Sequence, residues 1–342
     1  MIPLPPLARL DDLRRLLAGL PGADESAAAA ARRREPRLTK PAGALGRLEA
    51  LSEWLAAWQG RHPPRMARPH ACVFAGNHGV AADGVSAYPA TVTAQMVANF
   101  EAGGAAVNQL CRAFGVTLTV EAFDLDRPTR NFVEAPAMDE AETVAAVARG
   151  MAAVPAEADV LCLGEMGIGN TTSAAAIAMA LFGGAARDWV GPGTGVAGPA
   201  FERKIEAVKQ GVTRHRRAAA DPLEILMCLG GRELAAMAGA VVAARLRRIP
   251  VLLDGYVATA AAAVLEKARP GALDHCQAAH ASAEPAHPRL LARLGKTPLL
   301  DLGLRLGEAS GAVLAVALLQ AACACHAGMA TFGEAGVSDK EA

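Results

Sequence analysis

The sequence predicts an α/β protein built on a parallel β-sheet that is flanked by helices. Short apolar runs recur along the chain and end in Gly-containing turns, as Val160–Leu163 does before Gly164. Segments of helical character follow several of these turns, such as the Ala-rich stretch after Asn170. A recurring strand, Gly turn and helix is what a parallel sheet with crossover helices produces. The chain has 342 residues and is 52% hydrophobic, so it can fill a sizeable core.

The individual elements follow from periodicity and from turn residues. Apolar and charged positions alternate at helical spacing within residues 6–60, with breaks at Pro21-Gly22 and around Pro41 to Gly46, which predicts two or three surface helices. The pattern changes after His62-Pro63-Pro64, so we expect a domain boundary near residue 68. The later elements are a strand at Ala71–Ala75, a helix from about Val92, a strand at Thr117–Ala122, a helix at Met138–Val154, the strand, loop and helix of Ala158–Leu181, a charged helix at Phe201–Gln210, a strand or buried helix at Leu223–Leu229, a helix at Arg232–Leu246, a buried strand at Pro250–Leu253, buried Ala-rich helices such as Ala312–Cys325, and a polar tail that frays after Phe332.

Composition and charge favour a cytoplasmic protein that acts on small molecules. Lys plus Arg and Asp plus Glu number 34 each, so a net charge of zero gives no reason to expect nucleic acid or a membrane surface as partner. Seven dispersed Cys residues predict reduced core thiols. No basic stretch followed by an apolar one marks a signal peptide at the N-terminus. Runs such as Ala312–Cys325 are expected to be too short and too weakly hydrophobic to span a membrane, which takes roughly 20 residues.

The segment Ala158–Leu181 has the features of a phosphate cradle. Its glycines let the backbone approach a ligand closely, and a polar cap opens a helix whose free N–H groups favour an anion. Glu165 is placed in the turn at the expected carboxyl end of the strand, where open parallel sheets bind ligands. An ordinary βα turn with a good cap is the alternative. The glycines are Gly164, Gly167 and Gly169, and the candidate caps are Asn170, Thr171 and Thr172.

Three familiar motifs are matched incompletely. Gly193–Gly198 fits the dinucleotide pattern GxGxxG, but no convincing strand leads into it, which excludes a Rossmann dehydrogenase. Gly295-Lys296-Thr297 resembles the end of a P-loop, yet Leu290 stands where the first Gly is needed. The closest metal-like grouping, Cys323, Cys325 and His326, lacks CxxC spacing, so no metal is predicted.

Taken together, several segments resemble the nicotinate-nucleotide:dimethylbenzimidazole phosphoribosyltransferase family. The resemblance covers nearly the whole chain, and its motifs stand in order at sensible spacings. The segments are Leu38–Glu49 (LTKPAGALGRLE), Gly76–Phe100 (beginning GNHGVAADGVSAYP), Gly164–Thr172 (GEMGIGNTT), Val190–Gly195 (VGPGTG), Asp254–Val257 (DGYV), His280–Pro288 (HASAEPAHP) and Leu304–Ala312 (LRLGEASGA).

The resemblance implies a fold, an assembly and a reaction. The expected fold is a Rossmann-like parallel sheet in a large catalytic domain at residues 69–318, with a small helical domain formed by residues 1–68 and 319–342. A homodimer is implied, and neither a metal nor another cofactor is required. The implied reaction moves 5-phosphoribose from nicotinate mononucleotide to 5,6-dimethylbenzimidazole with inversion at C1′, giving α-ribazole 5′-phosphate and nicotinate in cobalamin nucleotide-loop assembly.

The resemblance also assigns roles to residues of this sequence. It implies that Glu308 is the general base and that Glu165 is its companion carboxylate. The remaining implied contacts are Leu306 and Met166 walling the aromatic base, with Ser86, Tyr88 and Gln95 nearby, and Gly167, Asn170, Thr171, Gly193, Lys204 and Ser282 holding phosphate and ribose. The resemblance does not decide whether Lys40 and Arg47 reach the active site of their own subunit or that of a partner subunit.

One residue departs from the family pattern, because Ala309 stands where Gly is expected. A methyl group there is expected either to narrow the base pocket or to shift Glu308.

The chemistry of the residues agrees with the implied reaction. The benzimidazole loses its ring N–H proton as its other nitrogen attacks C1′, and a carboxylate in apolar surroundings, with its pKa raised by desolvation, suits this work. Glu308, flanked by Leu304 and Leu306, fits that description. Two other functions stay open: an inactive relative that carries α-ribosides or free benzimidazole, and a nucleotide-dependent kinase. The missing Walker lysine counts against the kinase.

Overall fold

The computed structural model describes residues 4–338, and this part of the chain contains five strands and fourteen α-helices. The strands are β1 (Pro69–Gly76), β2 (Thr117–Phe123), β3 (Val160–Met166), β4 (Val251–Leu253) and β5 (Cys276–Ala278). The helices are α1 (Leu10–Ala18), α2 (Glu25–Arg34), α3 (Arg47–Gln59), α4 (Thr91–Glu101), α5 (Ala106–Phe114), α6 (Glu140–Ala153), α7 (Asn170–Phe182), α8 (Gly198–Arg214), α9 (Pro222–Leu229), α10 (Arg232–Leu246), α11 (Tyr256–Ala268), α12 (His287–Arg293), α13 (Ser310–Gly328) and α14 (Phe332–Ala335).

The five strands form one sheet in the order β2-β1-β3-β4-β5, and every neighbouring pair is parallel. The predicted α/β fold with a helix-flanked parallel sheet is therefore confirmed. The direction of the strand order reverses between β1 and β3, since β2 lies on one side of β1 and all later strands on the other. Open sheets of this kind bind ligands at the carboxyl edge near such a reversal.

The inner strands are buried on both faces and carry continuous apolar runs, such as Ala71–Ala75 of β1, whereas the edge strand β2 is only partly buried. In β1, Cys72 and Phe74 point into the larger core cluster, whereas Ala71 and Val73 point into the second one. Side chains alternate between faces in a strand, so a run with no polar position needs helices on both sides. Helices α6, α7, α9, α10 and α11 contribute to the larger cluster, and α3, α5 and α13 contribute to the second.

Glycine allows the closest helix contact in the larger cluster. A Cβ atom on Gly150 of α6 would overlap the backbone carbonyl of Ala236 in α10, and one on Gly239 of α10 would overlap the carbonyl of Val147 in α6. The backbones of the two helices are therefore in direct contact, and the pair packs on the face of the sheet that borders the larger core cluster.

Residues 34–38 meet the C-terminal part of the described chain at the far end of α13. Leu38 and Thr331 form an isolated antiparallel bridge, and the Arg34 guanidinium donates to the carbonyls of His326 and Met329. Helix α1 instead buries Leu13 in the larger core cluster. The expected boundary at residue 318 lies inside α13, and residues 1–3 and 339–342 of the expected small domain lie outside the described part. The division into two domains stays a prediction.

The structure decides one open expectation about a single element and corrects two others. The ambiguous segment Leu223–Leu229 belongs to helix α9, which starts behind the Asp221 cap. The tail does not fray directly after Phe332, because the Thr331 hydroxyl caps the short helix α14. Helix α13 has 19 residues and a mean hydropathy of 1.7, so it is long and apolar enough to cross a membrane. Half of its apolar stretch is buried against protein, which is the environment of a core helix.

The cysteines agree with the expected core thiols. All seven lie in the described part of the chain and are free; six are buried, and Cys325 is partly exposed. Burial raises the pKa of the Cys72 and Cys276 thiols to about 12, so these groups stay uncharged at neutral pH.

Candidate active site

A cleft of about 350 Å³ opens at the carboxyl edge of the sheet, above β3, β4 and β5. Most of the site residues predicted from the sequence line it. These residues are Tyr88, Glu165, Met166, Gly167, Asn170, Thr171, Gly193, Ser282 and Leu306. The structure thus brings together segments that are more than 200 positions apart in the chain.

Glu165 lies within strand β3 and not in the turn after it, because β3 continues to Met166. Glu165 is one of the last residues of β3, where the strand leaves the core, and its carboxylate faces the cleft. Asn170 at the start of α7 donates a hydrogen bond to the carboxylate. Burial raises the pKa of Glu165 to about 8, even though Asn170 acts in the opposite direction, and the nearby Asp254, Glu233 and Glu308 raise it further.

Glu308 lies in a tight turn in front of helix α13. Gly307, Glu308 and Ala309 have φ values of 86°, 63° and 62°, three successive left-handed residues. The turn is fixed to the sheet edge, since the Glu308 N–H donates to the Glu165 carbonyl at 3.2 Å. Glu308 is 5% exposed, and its Oε2 has no hydrogen-bond partner within residues 4–338. Burial, followed by the charge of Asp254, raises its pKa to about 7.

A polar pocket lies around Gly193 in the same cleft, next to Arg305. Lys204 of α8 is 1% exposed, and its Nζ donates to Thr171 Oγ1 at 2.8 Å and to the Gly191 carbonyl at 2.9 Å. Burial lowers the pKa of Lys204 to about 8. The carboxylate of Glu284 accepts the Gly193 N–H at 2.7 Å. An ammonium group, a hydroxyl and a helix N-terminus in one pocket are the donors that phosphate prefers.

Comparison with known proteins agrees with this arrangement. Residues 20–337 match the model of a family described as Phosphoribosyltransferase. The chain belongs to this phosphoribosyltransferase family. A relative from Sinorhizobium medicae, named nicotinate-nucleotide–dimethylbenzimidazole phosphoribosyltransferase, is 58% identical over 96% of this chain and 97% of its own. A relative of the same name from Methylocella silvestris is 60% identical over 97% and 98% of the two chains.

A solved phosphoribosyltransferase has the same fold. The crystal structure of CobT from Thermus thermophilus matches with a TM-score of 0.86 and 42% identity, over 92% of this chain and 100% of that one.

Four predicted site residues of this phosphoribosyltransferase do not line the cleft directly. Glu308 directly follows the lining residue Gly307 in the chain. Ser86 contacts the lining residue Thr194, with 3.2 Å between the two hydroxyl oxygens, and Lys204 reaches the cleft through Thr171. Gln95 is exposed on α4 outside the cleft. The roles assigned to these residues stay predictions.

Lys40 and Arg47 are both engaged within their own chain. The Lys40 ammonium is 6% exposed and contacts the carboxylates of Glu35 at 3.1 Å and Glu49 at 2.7 Å. The Arg47 guanidinium donates to the carbonyls of Pro298 and Thr297. Their contacts stabilise the irregular segment that precedes α3.

The methyl group of Ala309 does not narrow the cleft. Ala309 is fully buried in the second core cluster, and Gly164 of β3 leaves the space that it occupies. The substitution for the expected Gly therefore acts on the backbone turn and on core packing.

Sequence reasoning gave no role to His280, Glu284 and Arg305, which line the cleft, or to Asp254, which contacts His280. Asp254 follows β4 directly, His280 follows β5, and Glu284 and Arg305 lie in the segments beyond. All four stand in motifs that carried the family resemblance, and the position directly after a strand was an available signal for Asp254. Arg305 donates to the Gly193 carbonyl at 3.1 Å, so it adds a cation beside the Lys204 pocket.

Proposed function

We propose that this phosphoribosyltransferase transfers 5-phosphoribose from nicotinate mononucleotide to 5,6-dimethylbenzimidazole, inverting C1′ and releasing nicotinate. The product is α-ribazole 5′-phosphate, used in cobalamin nucleotide-loop assembly. Full-length relatives that bear this activity in their names support the proposal. The observation that carries it is Glu308, a buried carboxylate with a pKa of about 7 beside a cleft that also offers phosphate donors at Lys204 and Thr171.

The residues suggest how the transfer proceeds. Lys204, Thr171 and the start of α7 hold the 5′-phosphate, and this remote binding energy fixes the ribose for attack. One ring nitrogen of the base attacks C1′ while the C1′–N bond to nicotinate breaks, and the electron pair of that bond returns to the pyridine nitrogen. Glu308 accepts the proton from the other ring nitrogen. Glu165 is the companion carboxylate, and its ionised form, populated as pH approaches its pKa of about 8, stabilises positive charge that develops on the ribose.

The apolar end of the cleft suits an aromatic base. Met166 and Leu306 line it together with Ile168, and Tyr88 lies at its mouth. Leu306 and Tyr88 are 56% and 55% exposed, so a flat base would cover apolar surface there that now faces solvent.

The proposal is tested by incubating the enzyme with nicotinate mononucleotide and a panel of benzimidazoles, purines and phenols, with products identified by mass. We expect nicotinate and α-ribazole 5′-phosphate in equal amounts when 5,6-dimethylbenzimidazole is present. The anomeric configuration is assigned by NMR, and a β-product would contradict inversion. Binding of the base without release of nicotinate would instead identify a carrier protein.

We further propose a cytoplasmic homodimer that needs neither a metal nor another cofactor and binds neither nucleic acid nor a membrane. Tyr88, Leu302 and Leu306 are more than half exposed, and a second chain near the cleft would cover such an apolar surface. Sedimentation is expected to give twice the 35.0 kDa chain mass.

We also propose that the chain divides into a catalytic domain at residues 69–318 and a small domain formed by residues 1–68 and 319–342.

A further inference from the structure

Two buried polar residues, Asn77 and His78, directly follow strand β1 and do not line the cleft. They stand in the motif that begins at Gly76, and the proposed transfer gives them no role. Asn77 contacts the loop between β3 and α7 through Thr93, whose hydroxyl donates to Asn77 Oδ1 at 2.6 Å and accepts the Ile168 N–H at 3.2 Å. This loop and the start of α7 carry the proposed phosphate donors, so contacts made to them bear on the cleft.

His78 contacts helix α7 itself. Its Nδ1 lies 3.0 Å from the hydroxyl oxygen of Ser173, the fourth residue of α7, and its Nε2 lies 2.5 Å from a carboxylate oxygen of Glu233 at the start of α10. The His78 and Glu233 side chains are 1% and 0% exposed. In a neutral imidazole, an Nε2–H that donates to the carboxylate leaves Nδ1 to accept the Ser173 O–H. The three side chains therefore join the first turn of α7 to α10.

Glycines leave the space that the Glu233 carboxylate occupies. A Cβ atom on Gly76 would lie 2.5 Å from Glu233 Oε2, and one on Gly167 would lie 3.2 Å from Oε1. Gly167 lines the cleft, so the carboxylate packs directly against the cleft wall. Its Oε2 has no hydrogen-bond partner within residues 4–338, which leaves the contact with His78 to compensate its burial there.

A serine, a histidine and a carboxylate also form the nucleophilic triad of hydrolases, but this group differs from a triad in two ways. In the triad, histidine Nε2 faces the serine and Nδ1 faces the carboxylate, whereas here the two nitrogens are exchanged. Ser173 is also 0% exposed, and none of the three residues lines the cleft, so a substrate in the cleft does not reach the hydroxyl. The group holds α7 in place and does not attack a substrate.

We propose that His78 and Glu233, acting through Ser173, are positioning residues that fix the start of α7 for binding of the 5′-phosphate. The inference rests on the proposed function, in which Thr171 and the α7 N-terminus hold that phosphate. Thr171 lies two residues before Ser173, so a shift of this turn also moves the Thr171 hydroxyl, which lies 2.8 Å from Lys204 Nζ. A bound group must be held closely, because a displacement of about 1 Å costs up to ~10²-fold in rate.

The test measures the dissociation constants of ribose 5-phosphate and of 5,6-dimethylbenzimidazole by calorimetry. Ser173→Ala removes the hydroxyl and introduces a good helix former. Loss of one ordinary hydrogen bond corresponds to roughly 2–10-fold, so the dissociation constant of ribose 5-phosphate is expected to rise by that factor, with binding of the base unchanged. Unfolded protein lowers the stoichiometry and leaves the dissociation constant unchanged.

Ser52→Ala is the matched control. Ser52 is likewise a buried serine of a helix, its hydroxyl oxygen lies 3.4 Å from His326 Nδ1, and it does not line the cleft. Both dissociation constants are expected to stay at the parent values in this variant.

A double-mutant cycle tests whether the histidine acts through the serine. His78→Gln is expected to weaken ribose 5-phosphate binding, and adding Ser173→Ala to it is expected to weaken binding no further. Glu233→Gln keeps an acceptor for the His78 N–H, so it is expected to bind ribose 5-phosphate more tightly than Glu233→Ala does.

Several outcomes would overturn the positioning role. They are unchanged ribose 5-phosphate binding in Ser173→Ala, an equal loss of ribose 5-phosphate and base binding, additive effects in the cycle, and equal binding by the two Glu233 variants. None of these measurements needs turnover. A parent enzyme that releases no nicotinate would overturn the proposed function, and a loss confined to ribose 5-phosphate would still support the positioning role.

Discussion

Glu308 combines a left-handed backbone with a buried side chain, and both features cost folding free energy. The backbone conformation costs roughly 1–2 kcal/mol for a residue other than Gly. The carboxylate lacks a partner for Oε2 within residues 4–338 and is held close to its neutral form. Costs of this kind accumulate at functional sites, where the surrounding structure imposes them. Here they are imposed by the hydrogen bond to Glu165 and by helix α13.

The first residue-scale prediction concerns the base itself. Glu308→Gln keeps size and polarity but cannot accept the proton, so turnover is expected to fall by roughly 10²–10⁴-fold. KM for nicotinate mononucleotide changes little, because the donors at Lys204 are untouched. Steady-state assays measure both quantities. Glu202→Gln, at a 60% exposed carboxylate on α8, is the control and keeps full turnover. A fully active Glu308→Gln enzyme would remove Glu308 from the mechanism.

The second residue-scale prediction concerns the pH dependence of activity. The pKa of Glu308 is raised to about 7, so the carboxylate is protonated and inactive below that pH. We expect kcat/KM to rise with pH and to level off above about 7. Asp254→Asn removes the neighbouring charge that helps to raise this pKa, so the midpoint moves to lower pH. A profile that is flat between pH 5 and 8 would contradict Glu308 as the base.

The third residue-scale prediction concerns the pH dependence of folding stability. The pKa of Glu165 is raised from 4.5 to about 8 in the folded protein. Between these values the folded state holds more protons than the unfolded state, so ionisation of Glu165 lowers stability as pH rises. Glu165→Gln removes this dependence. Its melting temperature is expected to exceed that of the parent by more at pH 8 than at pH 5, and an equal difference at both values would contradict the assignment.

At the scale of elements, some of the fold was predictable and some was not. Strands β1 and β3 are long apolar runs that end at glycines, so pattern alone located them. Leu223–Leu229 stayed ambiguous because a short apolar run has no period that separates a strand from a buried helix. Strand β5 has three residues and left no signal, and α5 was missed.

The candidate site, like the fold, was only partly predictable from the sequence. Glu165 and the glycines around it could be found in one local motif. The contact between His280 and Asp254 could not, because it results from where the ends of β4 and β5 meet the start of α13.

The contact between α6 and α10 gives an element-scale prediction. Gly150→Ala places a methyl group on the backbone of α10, so the free energy of unfolding is expected to fall by about 1–3 kcal/mol or more. Gly328→Ala at the end of α13 is the control, since its Cβ meets nothing within 4 Å. In that exposed helical position Ala is equal to or better than Gly by up to ~1 kcal/mol. Denaturant titration of both variants measures the difference. Equal stability of the two would contradict backbone contact between the helices.

At the scale of the whole molecule, helix α13 connects the cleft to the ends of the described chain. It starts two residues after Glu308 and ends at Gly328, next to the Leu38–Thr331 bridge. Near that end, His326 contacts the Glu35 carboxylate at 2.5 Å and His62 Nε2 at 3.0 Å. One carboxylate, Glu35, thus links the C-terminal part of α13 to the Lys40 segment.

Glu35→Gln tests that link. It leaves the Lys40 ammonium and His326 with one carboxylate fewer in a buried cluster, and the stability loss is expected to be about 1–3 kcal/mol. Glu25→Gln breaks an exposed ion pair with Arg32 and is expected to cost less than about 1 kcal/mol. Both are measured by denaturant titration at pH 7. An equal effect of the two would show that the ends of the chain are held by other contacts.

The turn at Gly307, Glu308 and Ala309 also has an evolutionary consequence. Glycine adopts a left-handed backbone freely, and a Glu codon becomes a Gly codon by a single nucleotide change. Such a mutation would relieve backbone strain and remove a buried carboxylate, so a more thermostable but inactive protein lies one step away in sequence space. Selection for stability and selection for activity therefore oppose each other at position 308. A library screened only for folding is expected to lose its glutamate there first.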